Sequence, residues 1–104
     1  MSADIEWVDP AFETLEALPS TLAFEMIRRA DLLAAFPEMG VSLHSRYPQL
    51  GNCRQLIVGG SYRIIYEFDA VAGSVYILVL QHCRQRLPSA AELRFRRSLK
   101  QRPE

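Results

Sequence analysis

Lysine is nearly missing from this sequence: Lys100 stands alone against eleven arginines in 104 residues. Its cationic chemistry is therefore guanidinium chemistry, with planar forks suited to phosphate or carboxylate rather than compact point charges. Long apolar runs are missing too. The longest, Val75 to Leu80, has six residues, which excludes a membrane-spanning helix. The opening Met-Ser-Ala-Asp-Ile-Glu has no apolar stretch, so no signal peptide is expected and the expected compartment is the cytoplasm. No Gly-x-Ser-x-Gly elbow, phosphate-cradling glycine loop or dinucleotide fingerprint occurs.

Cysteine is scarce, with two residues. Cys53 opens one strand-like segment and Cys83 closes another, which in an antiparallel arrangement puts them roughly 20 Å apart at ~3.3 Å per residue. A disulfide needs Cα atoms within about 7 Å, so none is expected. No Cys-x-x-Cys pair exists, and His44 and His82 lack partners at ligand spacing, so neither a metal nor another cofactor is expected. His82 and Cys83 are adjacent, but neighbours on a strand point to opposite faces, which argues against a catalytic dyad.

What remains is an ordinary globular balance of 49% hydrophobic and 23% charged residues. A chain of this length forms one domain, 1–104, and buries about 65% of its unfolded surface without staples. Net charge is zero but unevenly spread: residues 1–52 carry −5 and residues 53–104 carry +5. A basic half suits an anionic partner, nucleic acid or an acidic protein; an internally balanced dipole is the plainer alternative.

Ile5, Trp7 and Val8 suit a short first strand. Asp9 suits a helix N-cap and Pro10 the first helical position, with Phe12, Leu15 and Leu18 turned inward. A second helix is expected over 21–35, with the stripe Ala23, Ile27, Ala30 and Ala34 flanked by Met26 and Leu33. A loop rich in packable side chains covers 37–52, followed by three strands at 53–58, 61–69 and 74–83. Gly59-Gly60 reads as a two-residue hairpin turn. Ser89 and Glu92 form a capping box opening a last helix to about Lys100, with Ala91, Phe95 and Leu99 on one stripe.

A two-residue turn pairs Leu56 with Arg63 and Arg54 with Ile65. One face of the meander then holds Ile57, Tyr62, Ile64, Tyr66, Phe68, Val75, Ile77 and Val79, an apolar core beneath the first two helices. The other face is mixed: Arg54, Leu56, Val58, Arg63, Ile65, Glu67, Tyr76, Leu78, Leu80 and His82. Its aliphatic residues Leu56, Val58, Leu78 and Leu80 need a cover, and with Arg94, Arg96 and Arg97 of the last helix they form the expected partner-binding surface. The plain structural reading of the arginines is surface pairing, Arg54 or Arg63 with Glu67.

The segment Cys53-Arg54-Gln55-Leu56-Ile57-Val58-Gly59-Gly60-Ser61-Tyr62-Arg63-Ile64-Ile65-Tyr66-Glu67 resembles the central motif of the RelE/ParE family of bacterial toxins, and Val79-Leu80-Gln81-His82-Cys83-Arg84-Gln85 resembles its strand ending. The resemblance covers residues 12–93 and implies an α+β fold: a short N-terminal strand, two helices on an antiparallel meander, and a C-terminal helix. It implies a growth-inhibiting toxin of a type II toxin–antitoxin module, neutralised by a cognate antitoxin. In the branch that cleaves mRNA on the ribosome, the resemblance assigns catalytic roles to Arg54, Arg63 and Arg84; His82 and Tyr76 are the only nearby acid–base candidates. That branch carries a lysine-rich strand where this chain has Leu56 and Val58, and often a C-terminal tyrosine that is missing between Leu87 and Leu99. The expected function is therefore ParE-like, binding DNA gyrase without cleaving RNA. The alternatives are a ribosome-dependent endoribonuclease and an inert antitoxin-binding domain.

Overall fold

The computed structural model describes residues 2–99. Its elements are β1 (Asp4–Trp7), α1 (Asp9–Ala17), α2 (Ser20–Leu32), β2 (Val41–Ser42), β3 (Asn52–Val58), β4 (Tyr62–Asp69), β5 (Ser74–His82) and α3 (Ala90–Ser98). The five strands form one sheet in the order β1-β5-β4-β3-β2. The meander is antiparallel, and β1 returns to lie parallel along β5. This is the expected α+β architecture, with a two-residue strand, β2, added inside the 37–52 loop.

Val8, not Asp9, precedes the first helix, because its N–H is held by the Ile77 carbonyl as a continuation of β1. Asp9 instead lies in the first turn, where a negative charge suits the helix dipole. Helix α2 stops at Leu32, and Leu33, Ala34 and Ala35 tighten into i→i−3 bonds ahead of Pro37. Its buried line is Met26, Ala30 and Leu33, whereas Ile27 from the expected stripe is 40% exposed. In α3 the Ser89 hydroxyl accepts the Glu92 N–H at 3.1 Å, as the capping motif requires. The residue that α3 buries is Leu93; Phe95, expected inside, is 63% exposed. Lys100 lies outside the described residues.

The register differs from expectation by one residue. Val58 pairs with Tyr62, Ile57 with Arg63 and Arg54 with Tyr66, so the turn comprises Gly59, Gly60 and Ser61. Both glycines have positive φ, 62° and 76°, which explains why glycine stands there. Because strands have period two, this slip moves every β3 side chain to the opposite face. A second departure lies in β5, where Tyr66 pairs with Ile77 but Ile65 with Val79. This bulge at Leu78 reverses the alternation beyond it.

Two layers result. Leu56, Val58, Ile64, Tyr66, Val75, Ile77 and Leu80 join Val8, Ala11, Leu15, Met26, Ala30 and Leu33 in the core. By alternation the opposite face carries Cys53, Gln55, Ile57, Arg63, Ile65, Glu67, Tyr76, Val79 and Gln81. Part of that face is covered by Leu93 of α3 and by the 43–50 segment, in which Leu43 and Tyr47 are buried.

Candidate functional site: the basic turn after β5

The expected aliphatic surface strip does not exist. Leu56, Val58, Leu78 and Leu80 are 6, 0, 1 and 4% exposed, so they belong to the interior. A charge placed at Leu56 or Leu78 would unfold the chain rather than weaken a partner contact. The slip in register and the bulge at Leu78 account for the misplacement.

The slip and the bulge together separate the expected catalytic residues, the first moving Arg54 and the second His82. Arg54 turns away from Arg63 and closes the 38–40 segment. Its Nη1 donates to the carbonyls of Gly40 (2.8 Å) and Glu38 (3.2 Å), its Nε donates to Asn52 Oδ1 (2.9 Å), and its Nη2 lies 3.6 Å from the Glu38 carboxylate. His82 lies on the Arg54 side of the sheet, edge-on to Tyr62 with ring centroids 5.0 Å apart. Its Nδ1 accepts the Arg84 N–H at 3.0 Å. Neither expected ion pair to Glu67 forms, since Glu67 is held by Arg97.

Arg63 is the centre of the opposite arrangement. Its Nη2 donates to the carbonyls of Cys83 (2.7 Å) and Gln85 (3.2 Å), and its Nη1 donates to Gln55 Oε1 (3.2 Å). The Gln85 side chain accepts the His82 N–H at 2.9 Å, and its backbone N–H bonds the His82 carbonyl. Tyr47 seals the far side, its hydroxyl donating to the Pro88 carbonyl at 2.7 Å. Burial raises the pKa of that phenol against the opposing pull of Arg46, so at neutral pH it is a strut rather than a proton carrier.

The turn is thus pinned from inside and cationic outside. Arg84 and Arg86 are exposed, and neither makes an ion pair among the described residues. No Asp or Glu occurs from residue 70 to residue 91. Arg46 adds a third cation, stacked 5.2 Å above the Tyr47 ring. Beside the turn, Thr14, Gln81, Gln85, Arg86, Glu92 and Arg96 line a cleft of about 300 Å³. Of the expected residues, the structure brings Arg63, Arg84 and His82 to this turn, the His82 ring lying on the opposite face of the sheet from Arg63. Gln55, Gln81, Gln85, Tyr47 and Arg86 were missed. Arg86 had a readable signal, its Arg-x-Arg spacing with Arg84 in an acid-free stretch; the glutamines and Tyr47 had none.

On α3, Arg96 is spent inward on the Leu78 carbonyl (2.9 Å), freed by the bulge, and on Glu92 (3.1 Å). Arg97 lies 3.5 Å over the Tyr76 ring and binds Glu67 and Asp69, each at 3.3 Å. Arg94 alone of the three points outward, near exposed Phe95. Among the described residues no cluster of His, Cys, Asp or Glu could hold a metal, and no helix is long and apolar enough to cross a membrane.

The two thiols are free and unlike. Burial, with Glu67 adding to it, pushes Cys53 up to about 12, whereas Cys83 is half-exposed at the turn. Because the thiolate is the reactive form, native protein treated with iodoacetamide at pH 8 is expected to take one label, at Cys83, and a second only after unfolding. Peptide mass mapping checks this; native labelling at Cys53 would contradict its burial.

No protein-family model and no curated protein sequence matches the chain. Solved structures do. The free-state E. coli RelE toxin carrying two Arg→Ala substitutions two positions apart superposes with a TM-score of 0.68, at 14% identity, over 92% of this chain and 94% of that one. The Mycobacterium tuberculosis RelBE2 toxin–antitoxin complex gives a TM-score of 0.67 at 23% identity, over 79% and 99%. The intact E. coli RelBE toxin–antitoxin complex gives 0.66 at 13% identity, over 81% and 100%. The likeness runs through 79–92% of this chain, and it establishes that this chain has the RelE-type toxin fold.

Proposed function

We propose that this chain is the toxin of a type II toxin–antitoxin pair, acting in the cytoplasm and neutralised by a cognate antitoxin protein. The observation that carries this reading is the likeness of 79–92% of this chain to RelE solved alone and in RelBE complexes. The basic turn is the surface that meets the target, because it presents Arg84 and Arg86 without competing ion pairs among the described residues. Those two arginines also share the two-position spacing of the pair substituted in the free RelE structure. The outer face of α3, with Arg94 and Phe95, offers a second contact surface for the antitoxin or the target.

For the target, the chemistry at the turn favours gyrase binding without cleavage. Attack of a 2′-hydroxyl on its own phosphate needs a base, an acid and cations at one place. Here Arg54 and the His82 ring sit across the sheet from Arg63, His82 Nδ1 is occupied by the Arg84 N–H of the turn, and Tyr47 holds its proton. The second reading, a metal-independent, ribosome-dependent mRNA endoribonuclease, is favoured by the RelE likeness itself.

Induced expression tests both. Growth arrest is expected, relieved by co-expression of the adjacent reading frame. Accumulating gyrase–DNA cleavage complexes support the first target, and mRNA cut at ribosomal A-site codons supports the second. Unchanged growth would leave an inert antitoxin-binding domain and overturn the toxin reading.

A further inference from the structure

We infer that Arg63 is a positioning residue: it builds the basic turn and does not itself hold the target. The inference rests on the reading of that turn as the target-binding surface. It starts from the donor inventory of a guanidinium, which has five N–H bonds. Both Nη2 hydrogens are committed, to the carbonyls of Cys83 and Gln85, and one Nη1 hydrogen goes to Gln55. The Nε–H is buried and has no partner among the described residues. A fork grips an anion with two parallel N–H bonds from adjacent nitrogens, and either fork of Arg63 needs an Nη2 hydrogen. Gripping a phosphate or carboxylate would therefore strip a carbonyl of the turn.

Those two carbonyls flank Arg84. Binding both from one rigid plane fixes the backbone on either side of it, while the Arg84 N–H is fixed by His82 Nδ1 and the Gln85 N–H by the His82 carbonyl. Arg84 and Arg86 are thereby left with exposed side chains on a turn whose backbone is closed from beneath. Two like charges on one turn repel each other, and ordering them in advance lowers the entropy cost of gripping a target. The Gln55 contact in turn steers the Arg63 plane from the neighbouring strand. Arg63 thus acts through the turn, and Arg84 and Arg86 make the contact.

A lysine at position 63 separates this role from direct charge contact, since an ammonium keeps the charge but cannot span two carbonyls in a plane. Wild type, Arg63→Ala, Arg63→Lys and the double variant Arg84→Ala/Arg86→Ala are compared by growth arrest on induction and by amide hydrogen exchange. Circular dichroism serves as the fold control. Both Arg63 variants are expected to lose toxicity and to exchange the Arg84 and Gln85 amides at least tenfold faster. The double variant is expected to lose toxicity with exchange at Gln85 unchanged. Full toxicity in Arg63→Lys, or unchanged exchange in Arg63→Ala, would overturn the inference. If wild type itself is not toxic, the functional reading fails, while the exchange comparison still decides whether Arg63 holds the turn.

Discussion

Gly40→Ala is expected to be among the most damaging single substitutions, costing about 2–4 kcal/mol, or roughly 10–20 °C in Tm. A Cβ at this position would meet the Gln55 carbonyl oxygen and the Tyr66 hydroxyl, each at 2.7 Å, and Tyr66 Cε1 at 2.8 Å. None of these can yield cheaply. The Gln55 carbonyl belongs to β3 where β2 pairs with it, and Tyr66 is fully buried. The Tyr66 hydroxyl also accepts the Gly40 N–H at 2.9 Å and donates to the Pro37 carbonyl at 2.8 Å. The added methyl therefore pushes apart a strand pair and breaks a buried hydrogen-bond relay together. Tyr66→Phe isolates the second effect: it leaves the Gly40 N–H and the Pro37 carbonyl without their partner and is expected to cost about 1–3 kcal/mol. Denaturant titration of both variants checks the order. Equal stability of Gly40→Ala and wild type would mean that the 37–41 segment moves freely.

Arg97→Ala is expected to cost about 2–3 kcal/mol at neutral pH, with a smaller loss near pH 4. Arg97 ties α3 to the sheet by stacking on Tyr76 and by holding Glu67 and Asp69. Besides this clamp, the apolar grip of the helix is chiefly Leu93. Burial raises the Glu67 pKa above its ordinary 4.5, Arg97 pulls it back, and Asp69 raises it further. Folded Glu67 therefore binds its proton more tightly than the unfolded chain does. Its contribution to stability is full below the unfolded value and is lost as pH rises through the folded one. Without Arg97 the folded value climbs, so ionising Glu67 at pH 7 becomes more costly, whereas at low pH the carboxyl is neutral in both proteins. Thermal melts across this range test the sign. A Tm deficit that is larger at pH 4 than at pH 7 would show that Glu67 is not the coupled group.

Much of the architecture could be read from particular residues. Asp9-Pro10 marks the entry to α1, Pro19 the break before α2, and Ser89 with Glu92 the start of α3. Two adjacent glycines mark the β3–β4 hairpin, and the clustering of β-branched and aromatic residues around them marks the strands. The candidate site could be read only in part. Arg63, Arg84 and His82 were named, but with Arg54 as a companion, which the sheet places on its other face together with the His82 ring.

Apart from β2, the type and order of the elements follow from the sequence, because caps, turn glycines and local propensity act over a few residues. The sequence also determined the basic, acid-free character of the β5–α3 connection. Tertiary structure alone decided the faces. Both sides of β3 and β5 carry apolar residues, so hydrophobic pattern does not choose between registers one residue apart. Packing against α1 and α2 made that choice, drawing Leu56 and Val58 inward, placing Ser61 in the turn and inserting the bulge at Leu78. That single choice, worth nothing in local propensity, set which arginines meet at the turn and which close other parts of the fold.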